Sequence, residues 1–438
     1  MISLLIFLGI TLLLIAEGWL ILSLIGIPRS YLKFFLSLPT AALPNSLIIL
    51  IITLANLSLH PTTIISLHMI IIIALTIIVI SKRKEQLANL PTSQLANLPP
   101  TQRFIITTTC STLLLITFIY GFSHAVLLPT FHYDSVMNWN NRSKISFIEK
   151  QLVLTDHHEL IAKPHYPILY HSLQITTQQG QSEWSDRLGN LIHFLLSISS
   201  LAALFLMIKK LRGSVTSLIA LTVITTTPLF AMHMGGSYAD VPLTLFALLS
   251  LASFFLYNKT NEFRWIILSA IFVSACVWTK SEGIPFCAVP WGLMMVLCWW
   301  RSASSKMKIV YGIIIAVVLS MLWPMAALIK GLPLSPHGAN DMGFALQDGA
   351  LPVALKVIFM GGSFGVVLPL VILLTLLSPS NRTHKYGLLW GILSLAGIIF
   401  IYTFTSNAQY LINGQSFDRQ MLLPVAILIL TIFSSDSS

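Results

Sequence analysis

Residues 2–25 of the chain read ISLLIFLGITLLLIAEGWLILSLI and contain a single ionisable side chain, Glu17. A segment of about 20 apolar residues is long enough to cross the roughly 30 Å hydrocarbon core of a bilayer as an α-helix. Comparable segments recur along the 438 residues. Short segments of alternating polarity, which are typical of outer-membrane barrels, do not recur. The sequence therefore predicts an all-α, polytopic transmembrane helical protein.

The composition supports the same class of protein. Charged residues make up 9% of the chain, hydrophobic residues make up 55%, and the mean hydropathy is +0.84. A soluble domain has about 25% charged residues and a disordered chain has low hydrophobicity, so both classes are excluded. We predict about 13 spans, at residues 2–25, 36–57, 62–81, 104–128, 188–208, 214–234, 240–257, 265–280, 284–300, 309–329, 355–377, 386–405 and 411–433.

The distribution of charge predicts the orientation. Two basic residues, Arg29 and Lys33, follow the first span and none precedes it, so we expect its N-terminus outside and its C-terminal end in the cytoplasm. Alternating the spans from this start puts 16 of the 25 basic residues inside and 11 of the 15 acidic residues outside. The net charge of +10 then reflects a bias toward the cytoplasmic face, and no nucleic-acid partner is predicted. We expect a multi-pass protein of the cytoplasmic (inner) membrane with a cytoplasmic C-terminus.

The spans fall into two groups separated by a linker. The linker contains the near-repeat QLANLP twice, and its prolines and polar residues are typical of flexible connections. The longest loop, residues 129–187, is expected outside, where a long loop in a compact protein is usually functional. The predicted parts are three N-terminal helices (1–81), a cytoplasmic linker (82–103), a transmembrane core (104–433) that includes the outside loop, and a short tail (434–438).

The outside loop begins PTFHYDSVMNW, and Asp134 is its first acidic residue. A carboxylate at a span end lies at the membrane surface, where a general base would have to act on a hydroxyl beside a lipid-carried substrate. An ordinary solvated aspartate is the alternative interpretation. The loop is also predicted to be partly helical, with an amphipathic helix on the membrane, because helical spacing relates Met137, Asn141, Ile145, Ile148 and Leu152.

A second stretch of the loop, KPHYPILYHSL, combines histidines, prolines and aromatic residues, among them His165 and Tyr166. Aromatic residues at this depth normally form an interfacial belt. Four histidines are candidate metal ligands, but their spacing matches no compact site: His157, His158, His165 and His171.

Other ionisable residues lie at span ends on the same face. Asp240 follows Tyr238 between two spans, and Lys280 and Glu282 lie between two more. Ionisable groups at membrane depth are costly and usually face a cavity or each other, so both a functional site and a structural ion pair are open. Arg419, near the final span, can clamp a phosphate bidentately or can extend toward the interface from the membrane.

Together these residues describe a site where a lipid phosphate delivers a group to an acceptor at the outer face. Cations suit a phosphate, acids suit a proton acceptor, and helices supply grooves for an apolar tail. Five short blocks in this order resemble the polytopic C-type glycosyltransferases, which include aminoarabinose transferases and protein O-mannosyltransferases. The blocks are Tyr133-Asp134, residues 165–170 (HYPILY), 238–242 (YADVP), 279–283 (TKSEG) and 418–424 (DRQMLLP).

The resemblance implies an enzyme that takes a sugar from a polyprenyl-phosphate donor to a glycan, lipid or protein acceptor at the outer face. It assigns the catalytic aspartate to Asp134, which would deprotonate the acceptor for an inverting displacement. Lys280 and Arg419 would stabilise the phosphate leaving group, and Asp240 and Glu282 would bind sugar hydroxyls or hold Lys280. His165, Tyr166 and Tyr238 are further candidate substrate-binding residues. Because Ser135 stands where the usual pair has a second acid, the resemblance leaves dependence on a divalent metal open without requiring it, and no other cofactor is predicted.

Two other functions remain open. An envelope glycan polymerase or ligase that uses a lipid diphosphate also has many spans and a large outside loop. Such enzymes are expected to use clusters of arginine and histidine, whereas this loop has two arginines, Arg142 and Arg187. A non-enzymatic lipid-glycan transporter or flippase is the other alternative, although transporters often contain two related halves and this sequence shows no such symmetry.

Overall fold

The computed structural model describes residues 2–81, 99–154, 166–302, 305–332, 345–360, 363–365, 367–378 and 381–434. All regular secondary structure in these ranges is helical, which confirms the predicted all-α class. Most of the predicted linker and of the predicted tail lies outside the described residues, as does His165.

The first three helices form an N-terminal unit. They are α1 (Ile2–Leu24), α2 (Tyr31–Leu54) and α3 (Pro61–Ser81). The Ser30 hydroxyl caps α2 by accepting a hydrogen bond from the backbone N–H of Lys33, which satisfies one of the free donors of the first turn. Helix α1 packs closely on α2, because a Cβ atom at Gly18 would lie 1.9 Å from the carbonyl oxygen of Ser37.

The next part of the chain carries the long loop and the central helix. Its α-helices are α4 (Pro100–Phe122), α5 (Asn141–Glu149), α6 (Leu169–Thr177), α7 (Asp186–Arg212), α8 (Ser214–Thr225), α9 (Pro228–Gly235) and α10 (Asp240–Thr260). Two π-helical segments, Ser123–Leu127 and Ser135–Asn140, extend α4 and precede α5. The long loop is therefore partly helical, as predicted.

The remaining helices complete the core. They are α11 (Phe263–Thr279), α12 (Val289–Arg301) preceded by a π-helical segment (Ile284–Ala288), α13 (Lys306–Ile329), α14 (Ala350–Met360), α15 (Val367–Leu377), α16 (Arg382–Phe404), α17 (Ala408–Ile412) and α18 (Phe417–Ser434). Helix α10 lies at the centre and packs against α7, α11 and α18. Its residues 240–257 are all buried, so the core surrounds the helix that begins at Asp240.

Ten described helices, some with their π-helical extensions, are long and apolar enough to cross a membrane, and α8 with α9 forms an eleventh candidate bent by 78°. Helix α11, with 17 residues, is slightly shorter. The predicted span 355–377 was wrong as a single helix, because α14 and α15 are separate elements with the turn 363–365 between them. The final span begins at Phe417 and not near residue 411. The count of 13 stays a prediction.

Three hydrogen bonds agree with the predicted assignment of the loops to the two sides of the membrane. Ser3 in the first turn of α1 accepts a hydrogen bond from Gln181 of the long loop. On the opposite face, Gly26 accepts a hydrogen bond from Arg264. Lys308 donates to Asn261 on that same face. Each of these three contacts joins parts of the chain that were predicted on one face, while the full topology and the face that meets the cytoplasm stay predictions.

Candidate active site

Asp134 lies at the start of the π-helical segment and has a different partner on each carboxylate oxygen. Its Oδ1 accepts a hydrogen bond from Nδ2 of Asn138, at 3.1 Å, one helical turn later. Its Oδ2 accepts one from Nη1 of Arg419. The side chains of Asp134 and Arg419 are 19% and 21% exposed, so this pair is accessible from outside the protein.

The first turn of α18 connects three separate elements to the site. Asp418 accepts hydrogen bonds from the backbone N–H and the hydroxyl of Ser363, at 2.9 and 2.7 Å. Arg419 reaches Asp134, and Gln420 donates to Oε1 of Glu282 at 3.0 Å. Three consecutive residues therefore hold the turn before α15, the start of the long loop and the loop after α11 in fixed relation.

Lys280 lies at the centre of a buried ion-pair network. Its Nζ is 2.9 Å from Oδ1 of Asp240 and 3.3 Å from Oε1 of Glu282. Burial alone would lower the pKa of Lys280, but the two carboxylates outweigh it and hold the pKa above its ordinary value. The ion pair anticipated from the sequence is thus formed with both acids, and Lys280 and Asp240 are each 4% exposed.

Aromatic rings line the cluster on two sides. The Tyr166 ring stacks on Trp139 with 5.0 Å between ring centroids, and Nζ of Lys280 lies 5.9 Å from the Tyr166 centroid. The guanidinium of Arg419 lies 5.2 Å from the Tyr238 centroid. Burial raises the pKa of Tyr238 to about 12, so its phenol is neutral at physiological pH. Burial also raises the pKa of Tyr166, so both tyrosines present neutral rings to cations of the site.

Several buried polar atoms around this cluster have no hydrogen-bond partner among the described residues. They are Nε of Arg419, Oε2 of Glu282, Oδ1 of Asn138, Nε1 of Trp139 and Nε2 of His132. Because buried polar groups in proteins are normally paired, a concentration of unpaired donors and acceptors is typical of a place that binds polar groups. The described residues contain no group of three or more His, Cys, Asp or Glu arranged to hold a metal ion.

Seven of the eight residues selected from the sequence meet in this cluster. They are Asp134, Tyr166, Tyr238, Asp240, Lys280, Glu282 and Arg419. Their assigned roles stay predictions. The sequence reasoning missed Asn138 and Gln420, although each had a local signal. Asn138 follows Asp134 by four residues, which is helical spacing, and Gln420 is the neighbour of Arg419.

The loop is helical where the amphipathic helix was predicted. The π-helical segment and α5 bury Trp139, Arg142 and Phe147 in the protein, while Ile148 on the predicted apolar face is 61% exposed. That this exposed face lies on the membrane stays a prediction. Arg142 is held by the carbonyl oxygens of Val153 and Tyr166, and burial lowers its pKa to about 9.

Comparison with known proteins gives two matches. The family model described as dolichyl-phosphate-mannose-protein mannosyltransferase matches residues 164–326, which contain five of the seven cluster residues. The crystal structure of ArnT from Cupriavidus metallidurans bound to undecaprenyl phosphate has a similar fold. Its TM-score is 0.54, with 13% identity over 75% of this chain.

The resemblance to the polytopic C-type glycosyltransferases is confirmed. At 13% identity the likeness to ArnT shows the fold alone, and it covers 60% of the ArnT chain. No curated protein sequence matches. The family match begins after Asp134 and ends before Arg419, so both residues lie outside the matched region. The fold brings them together and places Arg419 against Tyr238, which lies within that region.

Proposed function

We propose that the chain is an integral-membrane glycosyltransferase that moves a sugar from a polyprenyl-phosphate donor to an acceptor at the outer face. The observation that carries this proposal is the partly exposed pair of Asp134 and Arg419, surrounded by unpaired buried polar atoms. A phosphate and a sugar supply the oxygen atoms and hydroxyl groups that complement such a site. The match to a mannosyltransferase family and the fold shared with an undecaprenyl-phosphate-bound protein support the same class of donor.

In the proposed reaction Asp134 acts as general base. Its carboxylate takes the proton of an acceptor hydroxyl as the hydroxyl oxygen attacks the anomeric carbon of the donor sugar. The bond from that carbon to the phosphate oxygen breaks, and the phosphate oxygen keeps the electron pair. The products are the glycosylated acceptor with inverted configuration, polyprenyl phosphate and protonated Asp134.

Arg419 is the proposed phosphate ligand. Its guanidinium combines a planar fork with a free Nε donor, and the Tyr238 ring supports one face of it. Lys280 is much more buried and is engaged by two carboxylates, so we assign it an electrostatic role behind Arg419. Asp240 and Glu282 hold Lys280, and the unpaired Oε2 of Glu282 is available to a sugar hydroxyl.

The test uses the purified protein in lipid nanodiscs with radiolabelled polyprenyl-phosphate hexose and pentose donors, offered separately with an envelope extract as acceptor source. Asp134→Asn should reduce label transfer by about 10²- to 10⁴-fold, which is the usual contribution of a general base. Glu149→Gln, which changes an acid elsewhere in the long loop, is the matched control. Full transfer by Asp134→Asn would disprove the assignment of the base. Label that crosses the membrane without covalent attachment would indicate a transporter.

A further inference from the structure

A buried chain of polar side chains crosses the N-terminal unit and ends on α6. Nδ1 of His68 in α3 lies 2.6 Å from Oε2 of Glu17 in α1, and its Nε2 lies 3.1 Å from Oδ1 of Asn45 in α2. Nδ2 of Asn45 then donates to the hydroxyl of Ser172 in α6, at 3.2 Å. All four residues are fully buried, so this chain of contacts is shielded from lipid and water.

These contacts join the N-terminal unit to α6, and α2 also packs directly against α6 and α7. Helix α3 buries two side chains, Ile64 and His68, and the rest of its surface is at least partly exposed. His68 therefore connects α3 to the protein interior through its contacts with Glu17 and Asn45. Ionisable residues inside a membrane span are costly and are retained where they have a function, and the mechanism proposed above uses neither of them.

Helix α6 also contacts the segment that follows Asp134. Its Gln174 donates a hydrogen bond to Asn140 at 2.7 Å and accepts one from Ser143 at 2.6 Å. The Tyr170 ring packs edge-on against Trp139, which in turn stacks on Tyr166. The same short helix thus contacts the N-terminal unit on one side and the aromatic wall of the site on the other.

We propose that Glu17, His68 and Asn45 are positioning residues that hold α6, and through it the Trp139–Tyr166 wall, in register with Asp134. The three N-terminal helices then contribute to donor binding without touching the donor. The positioning of α6 stands on geometry alone, and its effect on donor binding rests on the proposed function.

Hydrogen–deuterium exchange tests the position of α6 without any turnover. The backbone amides of α6 and of residues 135–149 are followed by mass spectrometry in lipid nanodiscs. Glu17→Gln should leave their exchange near the wild-type rate, because the amide oxygen still accepts from His68. Glu17→Leu and His68→Leu should make these amides exchange faster, because Asn45 is released and α6 opens more readily. A uniform increase along the whole chain would indicate global destabilisation and would contradict positioning.

Two further variants keep the test decisive. Thr11→Val changes a buried hydroxyl that bonds within α1, and it should leave the exchange of the α6 amides unchanged. The double variant Glu17→Leu with His68→Leu leaves no unpaired buried charge, so it should fold while still releasing Asn45. Wild-type exchange of the α6 amides in this double variant would overturn the proposal.

Kinetics test the consequence for donor binding. The KM for the donor should rise roughly 2- to 30-fold in Glu17→Leu and in the double variant, with a smaller change in kcat, and Glu17→Gln should restore it. If the role of Glu17 and His68 is merely structural, these variants give less folded protein with an unchanged KM. That result would contradict positioning. If the wild-type protein transfers no sugar, the proposed function fails, whereas the hydrogen-exchange result still decides the position of α6.

Discussion

Arg419 donates a hydrogen bond to Asp134 across 285 residues of sequence, and each is the charged partner of the other. The proposed phosphate ligand and the proposed base therefore share one contact. A donor phosphate that binds Arg419 competes with the Asp134 carboxylate for the same guanidinium. This competition predicts an order in which the donor binds first and frees the base to meet the acceptor.

The competition predicts opposite effects of two substitutions on binding of undecaprenyl phosphate. Asp134→Asn removes a negative charge beside the phosphate site, so affinity should rise by roughly tenfold even though transfer is lost. Arg419→Lys keeps the charge but loses the planar fork, and affinity should fall roughly 10- to 150-fold, as expected for a charge-assisted hydrogen bond. Equilibrium binding of radiolabelled undecaprenyl phosphate in nanodiscs measures both.

Arg187→Lys is the matched control, because this exposed arginine lies in the first turn of α7 and is not one of the cluster residues. It should bind undecaprenyl phosphate like the wild type. Weaker binding by Asp134→Asn would contradict the shared contact, since the carboxylate would then assist the phosphate instead of competing with it.

The buried pair of Lys280 and Asp240 predicts non-additive effects on stability. Lys280→Met leaves two carboxylates without their cation in a buried site, so the free energy of unfolding should fall by about 3–5 kcal/mol. Adding Asp240→Asn removes one of these charges and should recover part of the loss. Thermal unfolding of the purified variants in one detergent measures the change in Tm. Lys144→Met, at an exposed position, should leave Tm near the wild-type value, and additive losses would show that Lys280 and Asp240 do not interact.

Hydropathy and charge predicted the membrane class and placed the site residues together on one face, because both are local properties of the chain. That this face is the outer one stays a prediction. Asp240, Lys280 and Glu282 were found for the same reason, since each lies at a span end on the acid-rich face. The break in the span at 355–377 had a signal that we missed, the glycine-rich sequence GGSFG at residues 361–365. Glycine favours turns over helices, even between apolar segments.

Partners that are distant in sequence could not be predicted. Glu17 is mid-span and its partner, His68, follows 51 residues later in another span. The contact of Asp134 with Arg419 depends on how α18 packs beside the long loop, and no local pattern specifies that packing. Side-chain pairing between helices is a property of tertiary structure, so one sequence without its fold shows the candidates but not the pairs.

The contacts of Arg142 predict that the stability of the long loop depends on the planar guanidinium of this residue. Its Nε donates to the carbonyl of Val153 at 2.9 Å and its Nη1 donates to the carbonyl of Tyr166 at 2.7 Å, so one side chain joins two separate parts of the loop. Arg142→Lys cannot make both contacts with the same geometry and leaves a buried acceptor unpaired. The free energy of unfolding should fall by about 1–3 kcal/mol, measured as a lower Tm. An unchanged Tm would show that these two contacts do not stabilise the loop.

The raised pKa of Tyr238 predicts a loss of stability at alkaline pH. The folded protein keeps the phenol protonated up to about pH 12, whereas the unfolded chain releases the proton near pH 10. The unfolded state therefore binds fewer protons between these values, and the free energy of unfolding falls as the pH rises from about 10 to 12. Tyr238→Phe keeps the ring beneath Arg419 and removes the titrating group, so its Tm should decline less over this interval. Equal alkaline declines in Tyr238→Phe and the wild type would show that this phenol does not titrate between pH 10 and 12.

The contact of the Tyr238 ring with the Arg419 guanidinium makes a separate prediction about ligand binding. At pH 7 Tyr238→Phe should bind undecaprenyl phosphate like the wild type, because it keeps the ring. Tyr238→Leu should bind more weakly, because the cation–π contact is lost.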